Sequence, residues 1–247
     1  MSALDVKLKK IPSTIQRGRM SSRQQHIFNT ELANYCLDLK NTNQLTKKEL
    51  NKVFGRSSEL ILDIGFGNGD QLLQLCEELP LYDFIGVELY KKGIANLISK
   101  IQNKNLNNLK IIYGDATEIL QNFFDNHSLS KIQIFFPDPW PKTRHYKRRM
   151  IQDNFINIIK NKLLLNGILH IATDSDDYAD HIITTMAHFS EFHQLKNHNI
   201  VRPITKFEKI AISLGNNVWD IVFVLKSYIG HGKEALLLNE RLFEHSE

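Results

Sequence analysis

From Glu59 onward, short apolar runs alternate with stretches whose apolar residues recur three and four positions apart. ELILDI, DFIGVEL, NLKIIYG, KIQIFF and GILHIAT are brief and apolar on consecutive positions, whereas GDQLLQLCEEL, KKGIANLISKIQ, DATEILQNFF, MIQDNFINIIKNKL and DDYADHIITTMAHF carry the helical period. Consecutive apolar positions suit strands covered on both faces, and the longer period suits helices lying on them. Regular alternation therefore predicts an α/β fold with a mostly parallel sheet and helices on both faces. NVWDIVFVLKSYI breaks the rhythm and reads as a strand added antiparallel at one side. Upstream, Ser21 is placed to cap a helix over RQQHIFNTELANYCLDLK, and TKKELNKVFG reads as a shorter helix ended by Gly55. The domain reading has three parts: residues 1–20 are a flexible basic arm; 21–226 are one domain, with N-terminal helices over 21–56; and 227–247 are a tail expected to be helical.

The ends of the strands carry the chemistry, because ligands of such sheets bind beyond the carboxyl ends of the strands. Between the first strand and its helix stand Gly65, Gly67 and Gly69, a GxGxG loop that lets the backbone turn sharply and approach a ligand closely. A dinucleotide fingerprint would set its third glycine one residue later, and Asp70 at the helix start repels a pyrophosphate. That disfavours a nicotinamide dehydrogenase. Asp63, just before the loop, suits an ammonium or sulfonium group. Glu88 ends the next strand at the spacing of a ribose-gripping acid, and Asp115 follows the third strand where an adenine amino group would be read. Each acid alone reads more readily as a solvated loop carboxylate, as most surface acids are. Their shared edge points to S-adenosylmethionine, an adenosyl ligand with a cationic amino-acid tail.

The run FFPDPWPKTRHYKRR, from Phe135 to Arg149, is the densest signal. Pro137, Pro139 and Pro141 fix φ and remove backbone donors, so the strand must end and leave Asp138 and Trp140 on a stiff loop. An acid and an indole so presented can grip a planar heterocycle, by hydrogen bonds and by stacking. The plainer alternative is a proline-rich turn with a capping Asp and a packed Trp. Lys142, Arg144, Lys147, Arg148 and Arg149 follow directly and would hold a polyanion's backbone while Asp138 faces one of its bases.

Composition narrows the class further. At 247 residues, 42% hydrophobic and 23% charged, the chain is an ordinary globular protein and not a disordered one. Net charge is only +4, so nucleic-acid binding must rest on clusters, which occur at Lys7 to Arg23 and Lys142 to Arg149. Cys36 and Cys76 form no CxxC, and the histidines show no ligand spacing, so no metal is expected. No apolar run is long enough for a bilayer and the first residues lack a secretory core, which makes no membrane and a cytoplasmic location the expectation.

With these pieces in place the chain resembles the bacterial tRNA (guanine-N7-)-methyltransferase family from Arg17 to Leu225. The motifs are DIGFGNG, GVEL, GDATE, FFPDPWPKTRHYKRR, ATDSDDYA and RPITKFEKIAISLGNNVWDIVF. The resemblance implies a class I methyltransferase (Rossmann-like) fold with a seven-stranded sheet whose last strand is antiparallel. It also implies S-adenosyl-L-methionine as donor, S-adenosyl-L-homocysteine as product, and the variable-loop guanine of tRNA (position 46) as acceptor. Carried over by residue, Asp63, Glu88, Asp115 and Asp138 become cofactor-contacting acids and Asp138 the catalytic position. Lys142, Asp174, Thr205, Lys206, Phe207 and Glu208 match substrate contacts, and Arg144, His145, Tyr146, Lys147, Arg148 and Arg149 match the RNA-contacting stretch. Departures are Asp63 for the more common glutamate, Gly114 for a larger polar residue, and Asn216 in LGN for LGH. Residues 226–247 have no counterpart. An amino methyltransferase of adenine or cytosine, or an RNA-binding module without turnover, are the rival readings. The sequence leaves monomer and homodimer open.

Overall fold

The apolar runs become neighbouring strands because each is short, unbroken and covered on both sides. A computed structural model of the chain describes residues 19–39, 44–102, 104, 106–196, 198, 200, 202–204, 206–213, 215 and 217–226. Its strands are β1 (Leu60–Ile64), β2 (Asp83–Glu88), β3 (Leu109–Tyr113), β4 (Leu129–Phe135), β5 (Leu163–Thr173), β6 (Phe192–Leu195) and β7 (Trp219–Leu225). They form one seven-stranded sheet in the order β3-β2-β1-β4-β5-β7-β6. The first five are parallel, and β7 is antiparallel to both its neighbours, β5 and β6. The short edge strand β6 has no apolar run behind it in FHQL, and its pairing with β7 is a tertiary outcome.

Helices cover the two faces in separate groups. On one side lie α1 (Ser22–Thr30), α4 (Asp70–Glu78) and α5 (Lys91–Ile101), which bury Ile27, Phe28, Leu72, Ile94, Leu97 and Ile98 against Ile61, Phe84 and Ile111. On the other lie α3 (Lys47–Phe54), α6 (Ala116–Phe123), α7 (Asp153–Lys162) and α8 (Asp176–Met186), packed on Leu62, Ile64, Ile132, Ile134, Leu169 and Ile171. Alternate residues of each strand thus serve opposite layers, as the pleat requires. No helix among the described residues is long and apolar enough to cross a membrane.

Local signals set several boundaries. Ser21 forms a capping box with Gln24 at the start of α1, Thr46 caps α3, and Gly55 ends α3 with φ 70°. The long helix expected from RQQHIFNTELANYCLDLK is instead broken at Glu31, and after α2 (Leu32–Tyr35) the chain leaves helical geometry at Cys36. The reason is the open edge of β3: Cys36 bridges Ile111, and the Leu37 N–H donates to the Ile111 carbonyl at 2.9 Å. Most of the expected basic arm and the whole tail from 227 to 247 lie outside the described residues.

One close approach joins the layers to the glycine loop. Gly93, in the first turn of α5, lies so near Gly67 that an added Cβ would stand 2.0 Å from the Gly67 carbonyl oxygen. That oxygen belongs to backbone and cannot swing aside. Gly93→Ala is expected to cost about 1–3 kcal/mol, the usual range for overpacking, read as a lowered thermal midpoint by circular dichroism. An unchanged midpoint would mean that the loop yields freely.

Candidate active site

The sheet reverses its winding between β1 and β4, and the loops leaving those two strands diverge into a crevice. The glycine loop forms one wall. Gly65, Gly67 and Gly69 have φ of 75°, 57° and 74°, a region that side chains rarely adopt, which is why the loop needs all three. The Gly65 N–H donates to the Val87 carbonyl at 2.8 Å. Glu88, at the end of β2, completes the wall: its Oε2 accepts from Gly67 N–H at 2.8 Å, and its Oε1 from Leu89 and Tyr90 N–H at 2.7 and 2.9 Å. Three accepted bonds out of roughly four lone-pair sites leave one site, on Oε2, for a single ribose hydroxyl.

Asp63 sits at the floor, 3% exposed, with Oδ2 accepting from Gln133 Nε2 at 2.8 Å. Burial pushes its carboxyl up to about 7, and the nearby charge of Glu88 adds to this while Gln133 and Lys131 oppose it. A buried acid so raised is an unmet demand for positive charge, which an ammonium or sulfonium ligand would supply. Gln133 Oε1 is also buried without a hydrogen-bond partner. The floor therefore fits a cationic amino-acid tail. Asp115 has one oxygen engaged as the N-cap of α6, accepting from Glu118 N–H at 3.0 Å, and the residue is exposed at the next strand end.

The opposite wall is the proline loop after β4. Phe136 and Trp140 have φ of 53° and 44°, strained values for large side chains that cost about 1–3 kcal/mol each. The strain is held in place by the Phe136 N–H, which donates to the Ala172 carbonyl of β5 at 2.7 Å, and by Arg149 Nε, which donates to the Pro139 carbonyl at 2.9 Å. Between these anchors Asp138 is exposed, and its charge raises the proton affinity of Glu88 across the crevice and of Tyr178 in α8. The two walls are thus within electrostatic reach of each other.

Beyond the loop the basic run winds into a 3-10 helix, Thr143–Arg148. Lys142, Arg144, Lys147 and Arg148 are exposed, with the Arg148 guanidinium 5.0 Å from the Trp140 ring centre. His145 packs edge-on to Trp140 at 5.7 Å and is held below its ordinary value, by desolvation and then by the charges of Arg148, Arg144 and Lys142. Two members of the stretch, Tyr146 and Arg149, turn inward. Tyr146 donates its hydroxyl to Asp177 Oδ1 at 2.8 Å, and the Arg149 side chain is fully enclosed in an ion pair with the same carboxylate.

The acceptor-side candidates divide. Asp174 is exposed after β5 and does not cap α8, a task that falls to Ser175, whose Oγ accepts from Tyr178 N–H. Glu208, in α9 (Lys206–Ser213), is 7% exposed and gripped by Arg202 through bonds of 2.5 and 2.9 Å, so it faces inward. Lys206 and Phe207 begin the same helix, while Thr205 lies outside the described residues. Sequence reasoning assigned no role to the cluster around Arg202. Its guanidinium also lies 3.1 Å from Asp220 Oδ2 and 5.4 and 5.3 Å from the rings of Phe135 and Phe136, and Asp220 pairs with His170 of β5. Burial, aided by Lys131, pushes His170 down to about 4 against the pull of Asp220, which leaves the imidazole neutral at neutral pH. The signal was available: Gln133, His170 and Asp220 are polar residues inside otherwise apolar strand runs.

The raised carboxyl of Asp63 has a pH signature. The folded state holds its proton more tightly than the unfolded state, whose value is near 3.8, so this group's contribution falls as pH rises from about 4 to about 7 and is level above. The thermal midpoint of Asp63→Asn, measured against the unaltered protein, should therefore gain steadily across that window and plateau beyond it. A difference independent of pH would show that Asp63 ionises normally.

Comparison with known proteins bears on the family and the fold. A family model described as "Putative methyltransferase" matches residues 57–221. The tRNA (guanine-N(7)-)-methyltransferase of Nitrosococcus oceani is 42% identical over 86% of this chain and 90% of its own length. Its counterpart in Shewanella sp. (strain MR-4) is 37% identical over 87% of this chain and 92% of its own. Among solved structures, the 16S rRNA methyltransferase KamB aligns over 78% of this chain and 100% of its own with a TM-score of 0.53 at 10% identity, a likeness of fold. The matched range and the extent of identity show the family: the chain belongs to the tRNA (guanine-N(7)-)-methyltransferase family.

Proposed function

We propose that this protein transfers the methyl group of S-adenosylmethionine to N7 of the variable-loop guanine, position 46, of tRNA in the cytoplasm. The observation that carries the reading is Asp138, exposed on a strained and anchored loop, within electrostatic reach of Glu88 and flanked by four exposed cations. When bound, S-adenosylmethionine supplies an electrophilic methyl on a sulfonium centre. Asp63 would hold its ammonium end, Glu88 and Asp115 its ribose and adenine, and Gly65, Gly67 and Gly69 would let the backbone close on it.

Guanine N7 carries an in-plane lone pair and no proton, so the attack needs no general base. The N7–methyl bond forms as the methyl–sulfur bond breaks, and positive charge passes to the purine. Asp138 would follow that charge with a preorganised carboxylate, or hold the N1 and N2 hydrogens of the base. Alignment of the reacting atoms supplies much of the remaining acceleration. Lys142, Arg144, Lys147 and Arg148 would hold phosphates beside the target. Asp174 is exposed and free to meet the base edge only if the RNA descends onto the rim of β5, whereas Glu208 would act through the segment that Arg202 holds in place.

The deciding assay is labelled methyl transfer to unmodified tRNA, with and without the variable-loop guanine, followed by base analysis. Product should be 7-methylguanine and should vanish with that base; methylated adenine or cytosine would overturn the reading. Asp138→Asn should lower kcat by about 100-fold while tRNA binding persists, and near-normal turnover would remove the electrostatic role. A salt titration of tRNA affinity should give a log–log slope of about −3 or steeper from the four exposed cations. A flat titration would refute the phosphate grip.

A further inference from the structure

Of the five cations between Lys142 and Arg149, only Arg149 has its side chain wholly enclosed. Its Nε donates to the Pro139 carbonyl at 2.9 Å, and its Nη2 donates to Asp177 Oδ2 in α8. The guanidinium lies 3.6 Å from the Tyr146 ring centre and 5.0 Å from that of Tyr178. Tyr146 adds its own bond to Asp177, and the Arg149 N–H donates to the Tyr146 carbonyl at 2.9 Å. One planar group therefore ties together the loop of Asp138, the basic 3-10 helix and α8. The carbonyl it holds belongs to the peptide that enters Trp140, the strained residue at φ 44°. A phosphate could reach this guanidinium only by displacing Asp177 and opening the aromatic stack.

We infer that Arg149 is a positioning residue for methyl transfer, clasping the Asp138 loop to α8, and takes no phosphate of the RNA. The inference rests on the function proposed above and reassigns a residue that its sequence context places among RNA contacts. Lysine retains the charge but not the flat fork that meets two tyrosine rings while bonding a carbonyl and a carboxylate. A phosphate contact would tolerate that exchange; a clasp would not.

The test compares the full-length protein with R149Q, R149K and R148Q. Affinity for unmodified tRNA is measured across a salt series, kcat and KM for tRNA at one salt concentration, and the affinity for S-adenosylhomocysteine by calorimetry. R148Q should reduce the salt slope by about one. R149K should keep the slope, the tRNA KM and the S-adenosylhomocysteine affinity while kcat falls by about 10- to 100-fold, as expected when reacting groups are misplaced. R149Q should likewise keep the slope; if R149Q fails to fold, R149K alone decides. A normal kcat in R149K, or a slope reduced by about one in R149Q, overturns the inference. In a Trp219→Phe background Trp140 is the only tryptophan, and its emission should shift in R149K as the loop is released. That readout separates the two claims: an unaltered protein that transfers no methyl to guanine N7 defeats the function, while unshifted emission defeats the clasp.

Discussion

Three backbone amides converge on the carboxylate of Glu88, and the shape of the crevice follows from that convergence. The Gly67 N–H is pulled toward the end of β2, the loop after β1 closes over the strand ends, and the start of α5 is drawn in until Gly93 meets the Gly67 carbonyl. No side chain fits in that contact. A carboxylate accepting several amides is strongly held despite its burial, so the wall against which a ligand would lie is set before any ligand arrives. The same acid feels Asp138 from the far side, which makes Glu88 the point where both walls of the crevice are registered.

The far wall is rigid for a different reason. A loop with three prolines and two large residues at positive φ stores strain, and such strain persists only where neighbours over-determine it. Here the constraints are the β5 carbonyl of Ala172, the enclosed guanidinium of Arg149 and the Arg202 cation beneath Phe135 and Phe136. Two arginines, one on each flank, hold a loop whose exposed acid has to keep its place while a large polyanion docks beside it.

Beneath that loop a polar seam crosses an otherwise apolar sheet. Asp63 and Gln133 stand opposite each other on β1 and β4, Gln133 opposite His170 on β5, and His170 pairs through Asp220 with Arg202 and Glu208. Buried polar groups are costly unless partnered, and such clusters are poor sources of net stability. Their effect here is placement: the Arg202–Glu208 ion pair is held against Asp220 of β7 and against Phe135 and Phe136, where the proline loop begins.

Periodicity alone determined most of the fold, because strands buried on both faces must read as apolar runs and their covering helices must show a 3.6-residue stripe. The glycine loop, the acids at the strand ends and the proline loop were legible as well, since each depends on local chemistry that a short motif carries whole. Tertiary structure alone decided which polar side chains turn inward. Arg149 and Arg148 are neighbours of the same type, yet one is enclosed against Tyr146 and Tyr178 and the other faces solvent. Glu208 found Arg202, Cys36 left its helix for the edge of β3, and FHQL became a strand only because β7 offered it a partner. These outcomes turn on which distant groups meet, and a linear pattern holds no record of distance in space.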